Sequence, residues 1–88
     1  MKSGVRKDIL VRLRRIEGQV KGIQRMIEEE GECSEILNQI LAVRAAVNRV
    51  GMLVAKNYAG ECMLEAKDEE SFHEALTKVI AVITKMVD

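Results

Sequence analysis

Proline and tryptophan are both absent from this chain of 88 residues, and the aromatic residues amount to Phe72 and Tyr58. A sandwich or barrel draws its cores and turns from those residue types, so the composition fits badly with a β-sandwich or barrel. Two cysteines are too few for a secreted disulfide scaffold. A single histidine, His73, rules out a histidine-rich metal site. No apolar run approaches the roughly 20 residues that span a bilayer, and MKSGVRKDIL holds no apolar signal segment. The expectation is a soluble cytoplasmic protein with no membrane partner. There is also no acid–base pair, phosphate-binding loop or nucleophile–histidine arrangement, which sets enzymes aside.

What is present is aliphatic and charged. Nearly half of the residues are hydrophobic, drawn from Leu, Ile, Val, Ala and Met, and the formal net charge is zero. One domain, residues 1–88, is all that this length supports. The zero hides a gradient. Residues 1–25 carry eight cations against two carboxylates, and residues 26–40 carry five glutamates and no base. A basic first third on a neutral protein points to a polyanionic partner on one face; a solvated helix surface is the plainer alternative.

The apolar residues keep helical time. Ile9, Leu13, Ile16, Val20, Ile23 and Ile27 alternate spacings of four and three, and so do Ile36, Ile40, Val43, Val47, Val50 and Val54. Phe72, Leu76, Val79, Ile83 and Met86 form a third series. The first helix is predicted to end at EEEG, with Gly31 in the left-handed conformation of a C-cap. The second runs from about Cys33 to about Ala59, with a further turn to Cys62 opposed by Gly60. Asp68 is the expected N-cap of the third, with Glu69 and Glu70 in its first turn. Three apolar stripes this wide exceed what one short chain covers, which predicts an obligate helical oligomer.

The cysteines lie 29 residues apart. On one helix that is about 43 Å, beyond any shared ligand or disulfide within a chain. Antiparallel pairing of two such helices about an axis near Val47 and Asn48 sets position i against 95 − i. Cys33 of one chain then lies beside Cys62 of the other, with the small residues Ala45 and Ala46 near the crossing. The alternative is two unrelated buried cysteines acting as small hydrophobes.

The string VRLRRIEGQVKGIQRMIEEEGECSEILNQILAVRAAVNRV closely resembles the repressor family of CsoR, RcnR and FrmR, and the resemblance runs from about residue 5 to 87. It implies an all-α, three-helix protomer with a long central helix. That protomer forms an antiparallel dimer and then a tetramer, a dimer of dimers, that binds operator DNA and lets go on meeting an inducer. The metal sensors of the family use a cysteine, a histidine 25 residues on, and a cysteine or histidine four beyond; carried over, these are Cys33, Tyr58 and Cys62. The middle ligand is missing, and a phenol with a pKa of about 10 is a poor substitute for imidazole at a soft metal.

Two further positions depart from the copper-sensing pattern. Glu32 stands where a tyrosine precedes the first cysteine, and Lys78 where a glutamate follows the second by sixteen residues. Formaldehyde sensing in the family resembles a reaction at an N-terminal proline, and this chain has no proline. The pair of cysteines without a histidine is most similar to the CstR subgroup, which senses sulfane sulfur and needs no cofactor. The resemblance implies that a persulfide or polysulfide reacts with one thiolate and the partner thiol closes a disulfide, trisulfide or longer bridge. Cys33, at a helix N-terminus that favours a thiolate, is the expected attacking thiol despite Glu32 and Glu35, and Cys62 the resolving one. Two alternatives stay open: a copper(I)-responsive repressor that holds the metal between the Cys33 and Cys62 thiolates, and a metal or sulfur carrier that binds no DNA. His73 reads as a surface or capping residue.

For the DNA, Lys7, Arg12, Arg14, Arg15, Lys21 and Arg44 are the candidate phosphate contacts. The resemblance points to RLRR and to the arginine of AVRAA. No helix-turn-helix or zinc-finger pattern is present, so backbone charge and DNA shape are expected to matter beside base readout.

Overall fold

The computed structural model describes residues 1–87, apart from the side chains of Cys62, Met63, Met86 and Val87. It consists of three helices, α1 (Ser3–Glu28), α2 (Cys33–Glu65) and α3 (Glu69–Val87). All three apolar series of the sequence therefore lie on helices.

Helix α1 stops in a six-residue wrap. The Gly31 amide donates to the Met26 carbonyl (2.8 Å) and the Glu30 amide to the Ile27 carbonyl (3.1 Å), the paired bonds of a Schellman motif. The left-handed residue is Glu30, at φ 56°, and not Gly31 as the sequence suggests. Gly31 occupies the next position for a different reason. A Cβ there would stand 3.1 Å from the Met26 carbonyl oxygen, so the absence of a side chain permits the close approach.

Helix α2 begins at once, with the Ile36 amide bonded to the Glu32 carbonyl (3.1 Å). It continues through Gly51 and Gly60 to Glu65, six residues past the expected end near Ala59. A glycine inside a helix costs about 1 kcal/mol, too little to break one held along its length by packing. Asp68 caps α3 as expected: its carboxylate accepts the Ser71 amide at 2.7 Å and its carbonyl the Phe72 amide at 3.1 Å.

Helices α1 and α3 each pack antiparallel on α2, on opposite sides, and among the described residues they do not pack on one another. Ile9, Ile16 and Val50 form the α1–α2 core, with Val5, Val43, Ala46 and Leu53 around them. Ala46 is thus turned to α1, which removes it from the helix crossing expected of it. Ala55 and Val79 are the buried residues between α2 and α3.

The result is a slab of 57 × 29 × 13 Å, one helix thick. Its accessible surface is 7075 Å², where a compact monomer of this mass exposes about 5,200 Å². Its radius of gyration is 17.2 Å against about 12 Å for a compact chain of this length. Among the described residues no side chain is fully buried, and Leu41 and Val47 stand 58% and 48% exposed within their apolar stripes. A single protomer does not close its own core.

Candidate sensor and nucleic-acid surfaces

Cys33 is the first residue of α2 and its side chain is exposed in the single protomer. Beside it the Glu32 carboxylate accepts a hydrogen bond from the Ser34 hydroxyl. Cys62 belongs to the last turns of the same unbroken helix, but its side chain lies outside the described residues. The length of α2, about 43 Å, therefore stands between positions 33 and 62 of one chain.

Seven residues make about two turns, so heptad-spaced positions share a side of a helix. Gly51, Val54 and Tyr58 of α2 line an apolar groove of about 440 Å³ with Val79 and Val82 of α3. Counting back in sevens from Val54 gives Val47, Ile40 and Cys33. From Tyr58 the same count gives Gly51 and Arg44. Cys33, Tyr58 and Arg44 consequently share one apolar side of α2, the thiol side. Tyr58 also lines an adjoining cavity of about 220 Å³ with Ser71, Glu74 and Lys78. Positions 58 and 78, two of the three singled out by the sequence as departures from the copper-sensing pattern, thus line one cavity at the α2–α3 seam. Lys78 is held there by Glu74, at 3.8 Å.

The opposite side of α2 is different. Arg49, Met52 and Lys56 line a groove with Ile83 of α3, and Lys56 also lines one with Lys2 and Val5 of α1. Arg12 lies one heptad on from Val5, and Arg15 one turn beyond Arg12. These four cations, Arg12, Arg15, Arg49 and Lys56, therefore share a side. Arg12 pairs with Asp8 (Nε to Oδ1, 3.2 Å). Glu61, at the edge of the same groove, bonds the amino terminus of Met1 and the Asn57 side chain, which together hold its carboxyl below the usual range.

Lys7, Arg14 and Lys21 follow one another in sevens, and Lys7 and Arg14 each stand two residues, about 200° of rotation, from Ile9 and Ile16 respectively. They form the outer edge of α1, with Lys21 drawn to Glu17 at 3.8 Å. The six cations singled out by the sequence are thus spread over three faces: the outer edge, the Arg12–Arg15 side, and the thiol side at Arg44. Arg49 and Lys56, one heptad apart, lie outside that set, on a helix whose basic residues are few.

Among the described residues no group of three His, Cys, Asp or Glu side chains could hold a metal ion. His73 is exposed on α3, and its carbonyl accepts the Thr77 hydroxyl at 2.9 Å. No helix is long and apolar enough to cross a membrane among the described residues.

Comparison with known proteins agrees with this architecture. Residues 5–85 match the family model described as metal-sensitive transcriptional repressor. The copper-sensing transcriptional repressor CsoR of Bacillus subtilis is 40% identical over 85 residues, 96% of this chain and 84% of that protein. The crystal structure of the copper-sensing repressor CsoR with Cu(I) from Geobacillus thermodenitrificans superposes with a TM-score of 0.84 at 36% identity, covering 100% of this chain and 92% of that one. The nickel-responsive regulator InrS superposes with a TM-score of 0.75 at 31% identity, covering 91% and 90%. With the three-helix slab, the motif region and these relatives in agreement, the chain belongs to the CsoR/RcnR family of metal-sensitive transcriptional repressors and is not an enzyme.

Proposed function

We propose that this protein represses transcription by binding operator DNA as a homo-oligomer, a dimer of dimers. In this reading it is released when reactive sulfur joins Cys33 of one protomer to Cys62 of its partner. The observation that carries it is the replacement of the family's histidine by Tyr58 between two cysteines that begin and end one unbroken helix. Antiparallel pairing of α2 about Val47 sets 33 against 62 twice in each dimer, and the exposed apolar side of α2 supplies the surface for that pairing. Lys7, Arg12, Arg14, Arg15, Lys21 and Arg44 are the proposed phosphate contacts.

The chemistry balances as a two-electron oxidation of the thiols. The Cys33 thiolate attacks the sulfane sulfur of a persulfide, RSSH, forming Cys33 persulfide and releasing the thiolate RS⁻. The Cys62 thiolate of the partner subunit then attacks the Cys33 sulfur, forming the disulfide and expelling HS⁻. The sulfane sulfur is reduced to sulfide as the two cysteines are oxidised. Attack on a longer polysulfide chain leaves one or more sulfur atoms in the bridge. By linkage, the bridged state binds DNA more weakly by the free energy with which DNA opposes bridging.

A second reading, a repressor responsive to copper(I), is favoured by the copper-sensing function of the relatives named above. Two thiolates suffice for this soft cation. Membership of a repressor family speaks against a carrier that binds no DNA. Intact mass spectrometry under non-reducing conditions, after treatment with inorganic polysulfide, separates the readings. The sulfur reading requires a covalent dimer carrying the mass of any bridging sulfur and absent from Cys33→Ala and Cys62→Ala. Unmodified monomer, from protein that copper(I) dislodges from DNA, would establish the second reading instead.

A further inference from the structure

The sulfur chemistry written above leaves the group R of the donor RSSH open. Position 62 lies one helical turn on from Tyr58, and Tyr58 lines the cavity of about 220 Å³ where α2 meets α3. That volume falls below the roughly 300–1,000 Å³ of sites for drug-sized ligands, so the cavity suits a molecule the size of one amino acid. Its walls carry both signs of charge. Glu65, the last residue of α2, and Glu74 supply carboxylates, and Lys78 supplies an ammonium group. Among the described residues Glu65 lies in no ion pair, and Lys78 meets Glu74 at 3.8 Å, an ion pair without a hydrogen bond. The carboxyl end of α2 adds partial negative charge beside Glu65, with no basic residue in its last turn to offset it. An ammonium group is therefore favoured at the Glu65 end of the cavity, and a carboxylate at Lys78. Tyr58 also borders the apolar groove of Val54, Val79 and Val82, whose uncharged walls suit polarizable sulfur.

We propose that this cavity seats the sulfur donor as an α-amino-acid persulfide, a zwitterion the size of cysteine persulfide. Glu65 and Glu74 take its ammonium group and Lys78 its carboxylate, beside the thiol site. The inference rests on the sulfur reading and names the donor that reading leaves open. The bonds change as already written, with R the amino-acid skeleton. The Cys33 thiolate takes the terminal sulfur, and the amino acid departs as its thiolate.

The test follows covalent dimer formation by full-length protein on non-reducing gels. The donors are cysteine persulfide, N-acetylcysteine persulfide, which lacks the ammonium group, and cysteamine persulfide, which lacks the carboxylate. Each rate is divided by that donor's sulfur transfer to a small thiol in solution, which removes intrinsic reactivity. Cysteine persulfide should lead each of the others by about fivefold on the wild type. Glu65→Gln should abolish the lead over the N-acetyl donor, and Lys78→Gln the lead over cysteamine persulfide. Lys78→Arg, which keeps the cation, should retain that lead. Failure of cysteine persulfide to lead both donors on the wild type, or a lead that survives the Gln variants, overturns the assignment. So does an equal loss in Lys78→Arg, which would make the effect one of packing. Wild-type protein that neither these donors nor inorganic polysulfide crosslinks would instead defeat the sulfur reading itself.

Discussion

The amide of Gly31 donates to the carbonyl of Met26 at 2.8 Å, and the residue between helix and glycine that turns left-handed to allow it is Glu30. A side chain in that conformation costs about 1 kcal/mol relative to glycine. Glu30→Gly should therefore stabilise the protein by about 1 kcal/mol, seen as a raised urea midpoint at fixed protein concentration. Gly31→Ala should lower it, because the new Cβ meets a backbone oxygen already engaged in the wrap.

At the other turn, Asp68 holds the Ser71 amide, and that bond depresses its carboxyl below the ordinary aspartate value. A depressed carboxyl stabilises the fold above the unfolded value, near pH 4, and ceases to do so as pH falls through its lower folded value. Asp68→Asn, which keeps a neutral cap, should match the wild type at the acid end of that window and melt lower above it. Asp68→Ala should melt about 5 °C below the wild type at neutral pH, measured by circular dichroism.

The resemblance of the sequence implies that Tyr58 stands where imidazole serves the metal sensors, and on the proposed reading Tyr58→His supplies the missing donor. Competition against a copper(I) chelator should show affinity tightened by about tenfold or more. Polysulfide crosslinking should persist in the same variant, since both thiols remain. Loss of crosslinking would give Tyr58 a part in the sulfur chemistry.

Val47 marks the centre of the thiol side and is half exposed in the protomer. Val47→Glu costs the isolated chain little, but it buries two facing carboxylates in an antiparallel pair. Sedimentation should show the oligomer dissociating at concentrations about 100-fold higher than for the wild type. Helicity should fall with it, because the slab has no closed core of its own.

Most of this was legible in the residues. The four-and-three spacing of Ile9 to Ile27 and of Ile36 to Val54 marked two helices, and Asp68 marked the start of the third. Two local features were not legible. Gly31 carries the usual mark of a left-handed cap, yet Glu30 takes that role, since the choice depends on how the chain leaves the helix rather than on the glycine itself. The second helix is expected to end near Ala59, with a further turn to Cys62 despite Gly60, and it runs on to Glu65, since one glycine costs too little to end a packed helix. The separation of the cations onto three faces needed the contacts of Val5, Lys56 and Val82, because charge alone carries no direction around a helix. Ala46 shows the same limit: its small size suggested a crossing, and its neighbours Ile16 and Val50 show which helix it meets.

A wall one helix thick has a mechanical consequence. Where α2 is the only layer between two surfaces, a roll about its long axis moves them in opposite directions at once. With side chains about 5 Å from the axis, a roll of 20° carries each surface by nearly 2 Å. Strain applied at Cys33 can therefore act as torque on a shaft, and the opposite side of the shaft responds without any chain of intermediaries.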